Sequence, residues 1–265
     1  MRFEAIASGS SGNCSYIGSE TTHLLVDVGI SRKRTVEALH DLELDLRDLD
    51  GILLTHEHSD HIQGLSMIAK VTQMPVYATR GTIEAILRMP KFAGIDPGRF
   101  VEVRADEALR VGDLKIDPMR ISHDAAEPVG YRIQYGKKKA AICTDLGNYN
   151  EYTVECLRDS DVLLIESNHD VNMLQCGPYP YPLKQRILGD RGHLSNVRSG
   201  QLLCKVLNDH LRGIFLGHLS KENNLPELAF ETVRVEVLSA DTGYRPDELP
   251  IRVARRDRPS ELIDF

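Results

Sequence analysis

The stretch Thr55-His56-Glu57-His58-Ser59-Asp60-His61 gathers three of the chain's ten histidines and one aspartate between His56 and His61. Neutral imidazole and carboxylate are the donors that zinc, manganese and iron accept. In an extended loop the side chains of His56 and His58, two residues apart, point the same way. Asp60 and His61 are neighbours at the start of the next element and project in different directions, and Asp60 also suits a helix N-terminus. The stretch therefore offers ligands to two adjacent points, more than a single ion needs. An isolated histidine is ordinarily a surface or core residue with one hydrogen-bond partner. Four potential ligands crowded together are poorly explained that way, because packed imidazoles repel when protonated and need partners when buried. The chemistry these residues support is metal-ion chemistry.

Such a loop must be held by regular elements. Gly51-Ile52-Leu53-Leu54 before it is an apolar run that predicts a buried strand. After it, Ile62, Leu65, Ile68 and Ala69 recur at helical spacing with Gln63, Lys70 and Gln73 between or beyond them, which predicts a helix. Further strands are predicted at 2–7, 14–17, 24–28, 75–78, 100–103, 108–111, 114–119, 129–135, 138–144, 161–165, 213–216 and 251–254. Helices are predicted from a Ser31 cap to about His40, and over 79–89, 151–158, from Tyr179 through Leu188, from Ser195 or Asn196 to Asn208, and over 225–238. The charged tail is expected to fray.

A chain of 265 residues, 42% hydrophobic and 27% charged, is ordinary for a globular α/β protein. It contains no apolar run long enough to span a membrane, and its first residues lack a secretory pattern. The five cysteines, Cys14, Cys143, Cys156, Cys176 and Cys204, are odd in number and form no C-x-x-C pair, so a reducing cytoplasm is the expected setting. With a net charge of −7, a nucleic-acid partner would have to be held by a local basic patch, helix N-termini or metal ions. Arg186, Arg191, Arg198, Lys221 and Lys137 to Lys139 are the cations available for such a patch. No G-x-S-x-G elbow and no phosphate-binding G-x-x-x-x-G-K loop is present.

Polar residues recur where predicted strands end. They are Asp27, His123, Asp145, Glu166 with His169, and His218. In α/β proteins, sites collect at such positions. Glu166 and His169 are open to a role around the ligands, a substrate contact or a structural role. The small-residue loop Ser8 to Asn13 reads either as a hairpin connection or as a backbone nest whose N–H groups hold an anion, with Ser10, Ser11 and Asn13 as contacts. Ser195 and Asn196 open a helix whose N-terminus suits an anion. His193 beside them is a candidate phosphate contact or proton donor, against a plain loop role.

H-x-H-x-D-H after an apolar strand resembles the metallo-β-lactamase-fold hydrolases. Ser8 to Cys14, Gly192 to Asn196 and His218 to Asn224 resemble, more narrowly, the bacterial WalJ/YycJ-like exonuclease branch, over nearly the full length. The resemblance implies an αββα four-layer sandwich spanning residues 1–265 as one domain without a β-CASP insertion. It also implies two divalent ions, zinc, manganese or iron. One would be held by His56, His58 and His123 and the other by Asp60, His61 and His218, with Asp145 bridging and Asp27 bracing the metal loop. A pair of divalent ions would acidify a shared water toward neutral pH, with Asp60 orienting it. The branch implies metal-dependent 5′-to-3′ exonuclease action on DNA, and His193 is the candidate catalytic group beside Asp60. Ser10, Ser11, Asn13, His169, Ser195, Asn196, Ser220 and Asn223 would be the substrate contacts. Two other readings use the same sequence: a hydrolase of small phosphodiesters or thioesters on the same metals, and a non-catalytic binding module. The module predicts degenerate ligands, whereas all seven positions carry competent donors.

Overall fold

The computed structural model describes residues 1–265. The first half alternates strands with helices: β1 (Arg2–Ala7), β2 (Cys14–Gly18), β3 (His23–Val26), α1 (Arg32–Asp41), β4 (Gly51–Leu53), α2 (Ser59–Ile62), α3 (Leu65–Ala69), β5 (Val76–Thr79), α4 (Arg80–Leu87) and β6 (Phe100–Val103). The second half runs β7 (Leu109–Val111), β8 (Leu114–Arg120), β9 (Val129–Tyr135), β10 (Lys138–Cys143), α5 (Glu151–Leu157), β11 (Val162–Glu166), α6 (Val171–Cys176), α7 (Tyr181–Leu188), α8 (Asn196–Val206), β12 (Gly213–Gly217), α9 (Pro226–Ser239) and β13 (Ile251–Val253). A last strand, β14 (Ile263–Asp264), closes the chain.

These strands make two seven-stranded mixed sheets, ordered β14-β1-β2-β3-β4-β5-β6 and β13-β12-β11-β10-β9-β8-β7. Alternation along the strands explains the layering. Leu24, Val26 and Leu53 from the first sheet meet Ile116, Tyr131, Ile133, Leu164 and Phe215 from the second in a core between the sheets. The intervening Leu25 and Ile52 turn outward onto α1, α3 and α4 through Leu39, Leu65 and Ile86. On the far side Ala141, Leu163 and Ile214 pack against α5, α8 and α9 through Val154, Leu203 and Val233. Three apolar interfaces separate four layers, which is the αββα sandwich.

β3 through β6 are parallel, as are β10 through β13. Their carboxyl ends therefore open on one side of each sheet, and the loops that follow β3, β4, β10, β11 and β12 meet there. Two expectations need correction. The helix after the histidine loop is broken at Gln63-Gly64, where Gly64 N–H donates out of the helix to the Val28 carbonyl at 2.8 Å, an approach so close that a Cβ there would lie 2.2 Å from the Ile30 carbonyl oxygen. The tail does not fray: Phe3 pairs with the buried Ile263, and the Met1 amine donates to the Phe265 carbonyl at 2.6 Å. Helix α6, at 171–176, carries no apolar period that sequence reasoning could use. No helix is long and apolar enough to cross a membrane.

Candidate metal centre

The 55–61 loop is pinned at its backbone before any side chain is considered. Leu54 N–H donates to Tyr77, and its carbonyl accepts the buried Tyr131 hydroxyl at 2.7 Å. Thr55 N–H donates to Asp27 Oδ1 at 2.8 Å, and its carbonyl accepts Val129 N–H. The Ser8–Asn13 segment is the connection between antiparallel β1 and β2, and it closes over the loop: Asn13 N–H donates to the Asp60 carbonyl at 2.8 Å. Gly29 packs so closely that a Cβ there would sit 1.6 Å from that same carbonyl, so only glycine fits.

Three further site residues share one backbone device. Asp27, Asp145 and His218 all adopt left-handed φ, at 60°, 59° and 56°, just past the ends of β3, β10 and β12. A residue with a Cβ loses roughly 1–2 kcal/mol in this region, least for aspartate. Paid at His218, the cost turns an imidazole off the strand and into the space between the sheets.

The structure brings all seven expected ligands together, as two adjoining triads: His56, His58 and His123, and Asp60, His61 and His218. His58 Nδ1 lies 3.2 Å from His123 Nε2. In the second triad Asp60 Oδ2 is 3.2 Å from His218 Nε2 and 3.5 Å from His61 Nε2. Asp145 stands between them, Oδ2 3.2 Å from His61 Nε2 and Oδ1 3.7 Å from His123 Nε2. Buried His56 Nε2 and Asp145 Oδ2 have no hydrogen-bond partner. Orphaned acceptors in the middle of a nitrogen- and carboxylate-lined space fit a divalent cation, which takes lone pairs and needs no hydrogen.

Contacts behind the ligands settle where ring protons sit. Asp27 Oδ2 accepts from His61 Nδ1 at 2.7 Å and from Thr55 Oγ1 at 2.8 Å, while Thr55 Oγ1 in turn meets His56 Nδ1 at 3.0 Å. His123 Nδ1 faces the Gly192 carbonyl at 3.2 Å, and His218 Nδ1 donates to Glu166 Oε1 at 2.7 Å. Each of these rings carries its proton away from the centre and turns the Nε2 lone pair toward it.

Charge is arranged to the same end. Burial acts to raise the carboxyl of Asp145, yet His218 and His61 outweigh it and hold the group well below the usual range. Asp60 is likewise held low, against its burial, by His61 and His218. Glu166 is brought down to about 2 despite complete burial, chiefly by His193 and His218. His218, which burial alone would depress, is pushed up to about 10 by Asp145, Asp60 and Glu166. His61 is raised against its burial by Asp145, Asp27 and Asp60, so a cation binding there would displace the second proton of both rings. Burial dominates at His56 and His123, which stay low and hence neutral. Anionic carboxylates and neutral imidazoles are the forms that ligate.

A cleft of 210 Å³ opens onto this centre, lined by His58, Asp60, Asp145, His193 and His218. Ser10 and Ser220 are on its rim; Ser11 is exposed on the loop beside Ser10 but does not line it. The other five expected substrate contacts are turned inward and need correction. Asn13 clasps Gly9 and the Asp60 segment. Asn196 is locked with Ser167 and Asn224, Asn223 binds Ser220, and Ser195 caps α8. His169 is buried against Asn168, with its pKa brought down to about 4 by desolvation. Asn13 and Ser195 satisfy backbone groups while Asn196, Asn223 and His169 bond neighbouring side chains, roles that sequence cannot tell from ligand contacts. His193 does line the cleft, its Nδ1 donating to Glu166 Oε1 at 2.8 Å. Lys137 to Lys139 sit at the start of β10, the far end of the sheet from Asp145. Arg191 instead braces His123 through its carbonyl. Sequence reasoning missed Asn168, Tyr179 and Leu183 on the cleft wall, and named Arg186 there only as an available cation, without its partner Asp124. The Tyr179-Pro180-Tyr181-Pro182 run was the signal for Tyr179 and Leu183.

Residues 22–210 match the Beta-lactamase superfamily domain, and the chain belongs to that family. It is 38% identical, over 93% of its length and 92% of the relative's, to Exodeoxyribonuclease WalJ of Streptococcus pneumoniae serotype 2. It is also 38% identical to Exodeoxyribonuclease YycJ of Bacillus anthracis, covering 86% of each chain. Among solved structures, Zn(2+)-bound PqqB from Methylobacterium extorquens shares the fold over the whole of both chains, with a TM-score of 0.75 at 14% identity.

Proposed function

We propose that this chain is a DNA exonuclease that hydrolyses phosphodiesters at a centre of two divalent ions, zinc, manganese or iron. Residues 1–265 act as one domain in the cytoplasm, and digestion runs 5′ to 3′. The observation that carries the reading is the pair of adjoining triads with Asp145 beside both, and with His56 Nε2 and Asp145 Oδ2 buried and unpartnered. The two exodeoxyribonuclease relatives support DNA as the substrate.

His56, His58 and His123 on one side and Asp60, His61 and His218 on the other would hold divalent ions, which would supply Lewis acidity and neutralise phosphoryl charge. The chain's own groups do the rest. Asp60, the ligand carboxylate with the greatest solvent access, orients the attacking water by accepting a hydrogen bond from it. Asn13 Nδ2, 3.4 Å from Asp60 Oδ2, fixes the direction in which that carboxylate faces. His193, its Nδ1 committed to Glu166, has Nε2 without a protein partner and delivers a proton to the leaving oxygen. Small substrates are a second reading, favoured by the modest 210 Å³ cleft.

The test incubates metal-loaded protein with end-labelled single- and double-stranded DNA and sizes the products over time. Stepwise shortening is expected, and Asp145→Ala should lose metal and activity together. Intact DNA alongside turnover of a chromogenic phosphodiester would move the assignment to the second reading. An Asp145→Ala variant digesting DNA at the wild-type rate would refute the centre itself.

A further inference from the structure

Beside the metal cleft lies a second one, of 320 Å³, between the loop after β12 and the segment after β13. Ser220 lines both, so the two adjoin across that residue. The second cleft is bounded by Lys221, Arg255 and Arg256, with Asp257 as its single lining carboxylate. Arg256 crosses its floor: Nη2 donates to the Leu219 carbonyl at 3.1 Å, while Nη1 is buried without any partner. Arg34 Nη2 donates to the Arg256 backbone carbonyl at 2.8 Å and holds that segment in place.

Arg80, Arg88, Arg104, Arg120, Arg158, Arg234 and Arg252 are paired with carboxylates, whereas the exposed Arg110, Arg212, Arg245 and Arg258 stand without an ion pair. Lys221, Arg255 and Arg256 form no such pair, although the chain carries a net charge of −7. Acidic residues are near enough to have been used: Glu222 adjoins Lys221, and Glu227 is in the first turn of α9. A buried guanidinium N–H without an acceptor is costly, and an anion with paired oxygens is its natural partner. The start of α9, capped by no side chain at Leu225, adds partial positive charge at the same rim.

We propose that this cleft seats a backbone phosphate of the DNA strand adjacent to the one being cut. Arg256 is the inner donor, and Arg255 and Lys221 flank it. The proposal rests on the nuclease reading above. It makes the path of the strand run from the metal centre over Ser220 toward α9.

The experiment measures steady-state cleavage of a labelled single-stranded oligonucleotide by the metal-loaded, full-length protein across a salt series. Arg256→Ala should raise KM about tenfold with kcat nearly unchanged. The slope of log KM against log salt should fall by about 0.7 for each phosphate contact removed. Arg255→Ala and Lys221→Ala, whose side chains hold no part of the fold, should show smaller shifts of the same kind, and Arg256→Lys should recover part of the loss. Lys33→Ala, on the exposed face of α1, serves as the unaffected control. Unchanged KM and salt slope in all three cleft variants would overturn the proposal. So would an Arg256→Ala variant that loses metal and kcat together, since the side chain would then only brace the Gly9 loop. If inorganic phosphate inhibition weakens in the variants while oligonucleotide KM stays fixed, the cleft holds free anions and the strand path is wrong. Wild-type protein that leaves DNA intact would sink the nuclease reading first, and this proposal with it.

Discussion

Replacing Glu166 by glutamine tests the arrangement behind the ligands most sharply. Its carboxylate is completely buried and accepts four hydrogen bonds. Oε1 takes His218 Nδ1 at 2.7 Å and His193 Nδ1 at 2.8 Å; Oε2 takes Leu146 N–H at 2.6 Å and Leu194 N–H at 3.1 Å. Glutamine is nearly the same shape but has one acceptor and one donor. Whichever way its amide is turned, an NH₂ faces two N–H groups. Leaving two buried donors without acceptors costs about 1–3 kcal/mol each, so about 2–6 kcal/mol in all. That is a large part of the roughly 5–15 kcal/mol that keeps a domain folded. In a chain of this size each kcal/mol is worth about 2–4 °C, so the apo protein's Tm should fall by roughly 5–20 °C. Where the amide faces the histidines, His218 loses the acceptor that orients its Nε2, and metal affinity should drop by about 10–100-fold. Thermal unfolding of the metal-free variant and competition with a chelator read the two effects separately. A further signature is acid behaviour. A carboxyl lowered from 4.5 to about 2 adds stability that is fully present above pH 4.5 and disappears as pH falls through 2, and the glutamine variant should lack that dependence. A Tm within 1 °C of wild type and an unchanged metal affinity would show that Glu166 is not the brace described here.

Two other outcomes follow from the same structure. His193→Ala should slow DNA turnover by about 10²–10⁴-fold while metal content stays at the wild-type level, the range for loss of a general acid; metal loss measured by elemental analysis would instead make His193 a ligand. Glu4, buried on β1 with Oε2 unpartnered, has its carboxyl raised to about 7, first by burial and then by Asp41. The folded state therefore binds the proton more tightly than the unfolded state, and stability declines as pH rises from 4.5 through 7. Glu4→Gln should remove that decline and gain about 1–2 kcal/mol at pH 8, after allowing for solvent around the group; denaturant titrations at pH 5 and pH 8 giving equal differences would refute it.

The metal loop was legible because its information is local. His56, His58, Asp60 and His61 lie within one turn-sized segment, and the apolar run before it and the amphipathic run after it fix its position between strand and helix. Most strands and helices were legible for the same reason, as periods of two and of about 3.6. His123, Asp145 and His218 needed more: each is one polar residue after a strand, and what brought them to the centre was resemblance to a family with a known ligand order. Tertiary structure alone decided how the ligands are held. That Asp27, Asp145 and His218 turn left-handed is set by the packing around them, and that Glu166 serves His193 and His218 at once and that Asn13 and Asn196 are spent inside the loops depend on partners 20 to 50 or more residues away. A sequence records which donors and acceptors exist. Only the packing of two sheets decides which of them face each other, and so which are left free for a cation or a phosphate.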